Sequence, residues 1–500
     1  MINNRKLFTM LVVSYLLLAS GYVSGLQAQE ADVVRVSGTV SDESGSPIPG
    51  VAVIIKGTNK GIVTDMNGAF SLNVPDENAI LQFRFIGYAV QETVVGMRQI
   101  INVAMAELEA PVGIEPAKPV NLTINQRKKA ETDNSVAFKM FREVSKQEGD
   151  NTFFSPFSLN MALGMLYNGT SDKTRTEMVK VLGIADFSES EINEYYQKIS
   201  QVLLEIDPIT DITIANSIWY RHNFPVKNTF IETGKKYFDT EVQVLDFNNP
   251  NAADVINKWC ADKTKNRINH IVAGPIPDNM MLYLINALYF KSKWQMEKKF
   301  DKEKTKLDDF NKTGNQKIKV QMMEQTSTLP YYADQYLQCI ELPYGNQAFS
   351  MVAILPSGNM KINQLIEYLP DADWQNIVNS MRQQRVWLKL PRFKIECKLP
   401  LNQPVKNLGM NRIFNGDFAN ISDESLAVSE IRQKTFVEVN EEGTEAAAVT
   451  VTAIVAFGTQ KRGDPIEPVR FFADRPFLFL IREKSTGVIL FIGRIDEPRE

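Results

Sequence analysis

The sequence predicts a chain in two folded parts: a small all-β sandwich, then a larger α+β domain with large sheets and helices gathered at its front. Three observations carry this. Short runs of alternating apolar and polar residues, about seven of them, crowd residues 33–106. Apolar residues at helical spacing follow from Asn134. Near-continuous apolar runs rich in aromatics come later, as suits strands buried on both faces. At 500 residues the chain is also too long for one ordinary compact domain.

Residues 1–28 read as an export signal. Arg5 and Lys6 precede the mostly apolar stretch Leu7 to Ala19, which is too short to span a bilayer, and small residues lead to Ala28. No later segment resembles a transmembrane span. Residues 29–106 are assigned to the sandwich. Val34 to Val40 alternates, Val51 to Ile55 and Ala69 to Val74 follow, Pro75 stops the latter, and Leu81 to Phe85 continues. Asn67-Gly68 is a strong hairpin signal, because both central positions of a tight mirror-image turn need positive φ. Asp65 and Asn67 are read as turn-formers rather than calcium ligands. Residues 107–133 read as a linker, with Pro111, Pro116 and Pro119 followed by the polar run Asn125 to Lys129.

Residues 134–500 form the large domain. Helices are expected over Ser135–Val144, Asn160–Tyr167, Ser171–Leu182 and Glu189–Leu204, and buried strands over Leu282–Phe290, Phe349–Leu355, Val386–Leu390 and Phe477–Ile481.

Several function classes are disfavoured. With 55 basic and 59 acidic residues, net charge −4, and no long basic run, nothing points to nucleic acid or an anionic membrane surface. Cys260, Cys339 and Cys397 form no CxxC pair, so they are read as buried or free thiols, not as a metal or redox site. His222 and His270, the two histidines, sit in no catalytic motif, which makes a histidine-dependent hydrolase a poor hypothesis. No cofactor or metal is implied.

One segment carries chemistry of another kind. Gly443 to Phe457 holds no proline, and Thr444, Ala446, Ala448, Thr450 and Thr452 place small residues at every second position. With the period-two geometry of a strand, one face is uniformly small and the other carries Glu445, Ala447, Val449 and Val451. An ordinary edge strand would also fit this composition.

The flanking motifs add a resemblance. Gly38-Thr39-Val40, Pro49-Gly50-Val51, Thr64 to Phe70 and Ile86-Gly87-Tyr88 resemble the carboxypeptidase regulatory-like module, a prealbumin-like sandwich found at the front of many envelope proteins of Gram-negative bacteria. It implies binding or docking, for instance to an envelope component, rather than catalysis. Over the whole large domain the chain resembles the serpins, a family of protease inhibitors. Asn151 to Leu159 is similar to the serpin segment beneath the main sheet, and Asn286 to Trp294 to the strand ending at the breach tryptophan. Val439 to Ala448 is similar to the reactive-loop hinge, and Asp474 to Phe479 to the strand beyond the loop.

This resemblance implies a suicide inhibitor of serine and perhaps cysteine endopeptidases, not an enzyme, and monomeric; the N-terminal signal adds export to the periplasm or secretion. It makes Glu441, Gly443, Thr444, Glu445, Ala446, Ala447 and Ala448 the hinge, and Ser155, Ser158, Asn286 and Trp294 the shutter and breach. Where the family usually has a shutter histidine this chain has Gln433, which can still donate and accept hydrogen bonds but does not titrate. Counting forward from Gly443 places the bait bond at Phe457–Gly458; counting back from Asp474-Arg475-Pro476 places it at Arg462–Gly463. Phe457 suggests chymotrypsin-like targets, Val455 or Ala456 elastase-like ones, and Lys461 or Arg462 trypsin-like ones. A non-inhibitory serpin, or a surface-binding protein whose front module does the essential work, are the alternatives.

Overall fold

The computed structural model describes residues 34–42, 45–58, 60–85, 88, 90–105, 116–147, 151–295, 300–314, 316–444 and 467–500. The expected signal, the loop positions Glu445 to Ala448, and the bait candidates Val455, Ala456, Phe457, Gly458, Lys461 and Arg462 lie outside the described residues.

The front part has seven strands: β1 (Val34–Asp42), β2 (Ala52–Ile55), β3 (Gly61–Val63), β4 (Ala69–Val74), β5 (Ile80–Arg84), β6 (Gln91–Val94) and β7 (Val103–Met105). They form two sheets, β4-β1-β7 and β3-β2-β5-β6. Inward-facing Val36, Val40, Val53, Phe70, Leu81 and Phe83 fill the space between. This is the expected sandwich. A turn forms at Asn67-Gly68, with Gly68 at φ +70° and Asp65 Oδ1 accepting from the amides of Asn67 (2.8 Å) and Ala69 (2.9 Å), but Asn67 does not take positive φ, so it is not the expected mirror-image turn. Asp65 is thus a turn-former. The flanking strands do not pair as a hairpin, however: β3 pairs β2 and β4 pairs β1, so the turn carries the chain from one sheet to the other.

The stretch expected as a linker is only partly one. Ala117 and Val120 bond to Asn346 and Ser485 of the large domain. A helix, α1 (Ile124–Val144), then begins well before Ser135, started by a capping box between Thr123 and Gln126. The polar run Asn125 to Lys129 is its first turn, and Ala130, Val136, Ala137 and Phe141 supply its buried face. Helices α2 (Pro156–Gly169), α3 (Asp172–Leu182), α4 (Glu189–Glu205), α5 (Asn228–Phe238) and α6 (Ala252–Lys263) follow, with the short α7 (Ile362–Tyr368), α8 (Trp374–Asn379) and α9 (Asn402–Asn407) later.

The remaining strands are β8 (Asn151–Phe154), β9 (Asp211–Arg221), β10 (Thr240–Leu245), β11 (Leu282–Lys293), β12 (Lys306–Asn311), β13 (Lys317–Ala333), β14 (Leu337–Tyr344), β15 (Phe349–Pro356), β16 (Arg382–Pro391), β17 (Phe393–Pro400), β18 (Arg432–Val439), β19 (Gly443–Thr444), β20 (Val469–Phe472), β21 (Phe477–Glu483) and β22 (Ile489–Ile495). One sheet runs β20-β16-β13-β14-β15-β21-β22-β8, with β12 on β13; the other runs β10-β9-β11-β19-β18-β17. Helices cover both faces of the second sheet at β11. Asn286 of β11 points to α2, while its neighbours Ile285 and Ala287 pack with α6 residues Ile256 and Cys260. No helix among the described residues is long and apolar enough to cross a membrane. All three cysteines are buried free thiols, and burial pushes the Cys260 thiol up to about 12 and that of Cys397 to about 11.

Candidate functional site

The site is the line between β11 and β18. On its outer side β11 pairs with β9 from Leu282 to Lys291, and β18 pairs with β17 along its full length. On the sides that face each other, pairing among the described residues occurs only at the top. There Ser292 and Lys293 meet Thr444 and Gly443, and Val439 meets Thr444. β19 is therefore the start of a strand antiparallel to both neighbours. Further down, a cavity of about 150 Å³ opens between the two strands over α2, lined among others by Ser158, Ala162, Leu284, Asn286 and Gln433.

The top of this slot is built tightly. Gly443 sits at φ +153°, where a Cβ would fall 2.1 Å from the Ser292 carbonyl oxygen, so only glycine fits. Thr444 is buried, its hydroxyl 2.5 Å from the Tyr344 hydroxyl. Trp294, 1% exposed, stacks on the Tyr344 ring at 4.4 Å and 13°. Its indole N–H donates to the Asn440 carbonyl (2.8 Å), and its backbone N–H to that of Glu442 (2.9 Å). The tryptophan thus braces both ends of the turn that feeds β19.

Glu441 anchors the same turn from below. Its buried carboxylate takes two bonds from Arg392 Nε (2.8 and 3.0 Å) and one from the Thr305 hydroxyl. Burial opposes its ionisation, but the Arg392 and Thr305 bonds outweigh burial and hold the carboxyl below its ordinary value of 4.5. A depressed folded value stabilises the fold above the unfolded value and loses that contribution as pH falls through the folded one. Hydrogen exchange at Gly443 and Thr444 should therefore accelerate, beyond the intrinsic trend, as pH drops below 4.5, and Glu441→Gln should abolish that acceleration. An unchanged acid response in the Gln variant would contradict this role.

Lower down, polar side chains tie both strands to the start of α2. Ser155 is the N-cap of α2, its hydroxyl accepting from the Ser158 amide (3.1 Å) and donating to the Leu490 carbonyl (2.6 Å). Gln433 of β18 accepts from the Ser155 amide (2.7 Å) and donates to the Ser155 carbonyl (3.0 Å). Ser158 donates to Asn286 Oδ1 of β11, and Asn286 Nδ2 donates to Asn216 of β9 (2.6 Å). The glutamine thus joins the group expected around it, through the Ser155 backbone rather than by touching Asn286. Each strand is fastened to the helix, not to the other strand.

The structure brings Ser155, Ser158, Asn286 and Gln433 into one cluster and Trp294, Glu441, Gly443 and Thr444 into another. Tyr344, Arg392, Thr305 and Asn216 were not foreseen. Asn216 carried a signal, a polar residue amid the apolar strand Ile214 to Trp219; Arg392 and Thr305 carried none. His222 and His270 are exposed. No group of three or more metal-ligating side chains occurs among the described residues.

A family model described as Serpin (serine protease inhibitor) matches residues 131–498. The chain belongs to the serpin family. A second model, CarboxypepD_reg-like domain, matches residues 36–115 ahead of the serpin domain. Serpin B3 of Homo sapiens is 33% identical over 395 residues, covering 74% of this chain and 99% of that protein. Iripin-3 of Ixodes ricinus is 34% identical over 372 residues, 73% of this chain and 93% of that one. Among solved structures, the thermophilic serpin Tengpin in its native state superposes with a TM-score of 0.67 at 29% identity, covering 77% of this chain and 97% of that one. The serpin fold here is also that of thyroxine-binding globulin complexed with thyroxine, at a TM-score of 0.64 and 25% identity, with 75% and 100% of the chains covered. Serpins are mostly protease inhibitors rather than enzymes.

Proposed function

We propose that this serpin is a suicide-substrate inhibitor of serine, and also cysteine, endopeptidases, exported to the cell envelope or beyond it, with the front module docking it there. The observation that carries the inhibitory reading is β19: Gly443 and Thr444 already occupy the top of the slot as a strand antiparallel to both neighbours. Extending the register Ser292↔Thr444 residue by residue sets Ala446, Ala448, Thr450 and Thr452 opposite Phe290, Leu288, Asn286 and Leu284, on the side of α2. Glu445 falls opposite Lys291, on the other face. On insertion the small residues would thus meet the packed side, and the acidic one a lysine.

The chemistry follows from that geometry. A protease nucleophile attacks the bait carbonyl, forms an acyl-enzyme with the hinge-side fragment and releases the amine of the next residue. The freed hinge side then adds as a strand, as serpins do, drawing the acylated protease with it before water can release it. The register reaches the end of β11 when Leu282 lies opposite Ile454. A bond after Phe457 would leave about three residues, roughly 10 Å, between the slot and the protease; one after Arg462 would leave about eight, roughly 27 Å of slack. The shorter tether favours Phe457–Gly458, with Val455 or Ala456 as elastase-type alternatives and Lys461 or Arg462 as trypsin-type ones.

Mixed with elastase-, chymotrypsin- and trypsin-type proteases, the purified protein should give with at least one a band resistant to denaturation, at the summed mass less the released C-terminal fragment. Mass spectrometry should find a released fragment beginning at Gly458. Plain digestion of the loop by every protease, with no covalent product, would overturn the proposal.

A further inference from the structure

A strand descending the slot meets an obstacle on the face opposite α2. The segment leaving α6, residues 264–272, crosses from the β9–β11 side of the sheet to β18. Its Ile268 packs with Cys260 and Ala287 on the near side. On the far side the Arg267 guanidinium lies 4.7 Å from the centre of the Phe436 ring, and Asn269 accepts from Lys434 Nζ (3.3 Å). Asn257 of α6 fastens this crosspiece to the helix by bonding the backbone of Ile271 and Val272. Continuing the register Val439↔Thr444 down β18 brings Ala447 opposite Phe436 and Val449 opposite Lys434. Those are the two residues the crosspiece holds, so an inserting strand must lift it.

The front module stands against the root of that crosspiece. β3 lies beside the last turn of α6, where Ile62 and Val63 share a cleft with Asp262, Lys263 and Lys265. One strand further in, beyond β2, β5 is buried on both faces. Leu81 and Phe83 enter the module's own core, while Gln82 and Arg84 face the serpin domain. Arg84, 7% exposed, donates to the Leu204 carbonyl at the end of α4, with Glu205, Asp207 and Asp211 around it. It is aimed there by Gln82 (2.7 Å), itself bonded to Glu92 (2.9 Å). A buried arginine on the outer face of a small sandwich, held in one orientation and set among three acids of another domain, is a built contact.

We propose that the front module is an intramolecular brake on loop insertion: seated by Arg84 on α4 and by β3 on α6, it resists the lifting of the 264–272 crosspiece over the slot. This rests on the inhibitory reading above and assigns the module a role inside the molecule.

The test uses the full chain with Arg84→Glu and, on the other half of the contact, Ile62→Asp; both side chains point away from the module's core. Hydrogen exchange should show β3 and β5 newly exposed, and residues 264–272 exchanging severalfold faster. At saturating protease the rate of covalent trapping should rise severalfold, as should the rate at which uncleaved protein loses inhibitory activity on warming. A variant whose module is released but whose crosspiece exchange and trapping rate match the parent overturns the brake. If neither parent nor variant traps any protease, the inhibitory reading fails, and exchange at residues 264–272 alone decides whether the module restrains the crosspiece.

Discussion

Thr444→Arg should convert the inhibitor into a substrate: the loop is cut at the same bond, the protease goes free, and moles of inhibitor consumed per mole of protease rise at least tenfold. The cause is local. Thr444 is 2% exposed, with its hydroxyl on Tyr344 and the stacked Trp294–Tyr344 pair beside it. A guanidinium placed there loses its water and gains no carboxylate, at a cost of several kcal/mol. Trapping is a race between insertion and deacylation, and each ~1.4 kcal/mol added to the insertion barrier slows it tenfold. Thr444→Ser keeps the hydroxyl and should remain an inhibitor. Ala448→Arg makes the same demand further along the strand without disturbing Tyr344, so loss of trapping there separates blocked insertion from a damaged breach. Stoichiometric covalent complex with either arginine variant, read on a denaturing gel, would contradict the insertion register.

Cutting the loop without trapping should make the protein more resistant to heat. From Glu445 to Ile454 about ten residues would gain strand pairing, and at roughly 1 kcal/mol net per hydrogen bond that is on the order of 10 kcal/mol. In a domain of this size each kcal/mol raises Tm by about 1 °C, so the cleaved form should melt on the order of 10 °C higher. Calorimetry before and after nicking with a catalytic amount of protease measures this directly. The Thr444→Arg protein, nicked identically, should show little of the gain. A parent protein whose melting is indifferent to cleavage would mean that the slot does not take the loop.

Much of this was readable from the chain because the relevant signals are short-range. Alternation found the sandwich strands, and the small-residue face of Gly443 to Thr452 follows from period two alone. What could not be read were partnerships set by tertiary contact. Asn67-Gly68 reads locally as a hairpin turn, yet β3 and β4 belong to different sheets because each finds its partner elsewhere in sequence. The run Asn125 to Lys129 looked like linker because its polarity hides a capping box at Thr123 and the apolar stripe that begins only at Ala130. Arg392 and Thr305 converge on Glu441 from distant segments, and no local pattern marks them.

Gln433 fastens β18 through an amide, which carries no proton that neutral or mildly acidic solution can add or remove. The grip of the lower strands on α2 is accordingly blind to acidity, and the two histidines of the chain lie out on the surface. Among the side chains that hold the slot, the acid-sensitive one is the Glu441 carboxylate at the mouth. A trap so arranged would keep the same spring tension in a fermenting, acidifying medium as in a neutral one, and would slacken only once the medium became strongly acidic.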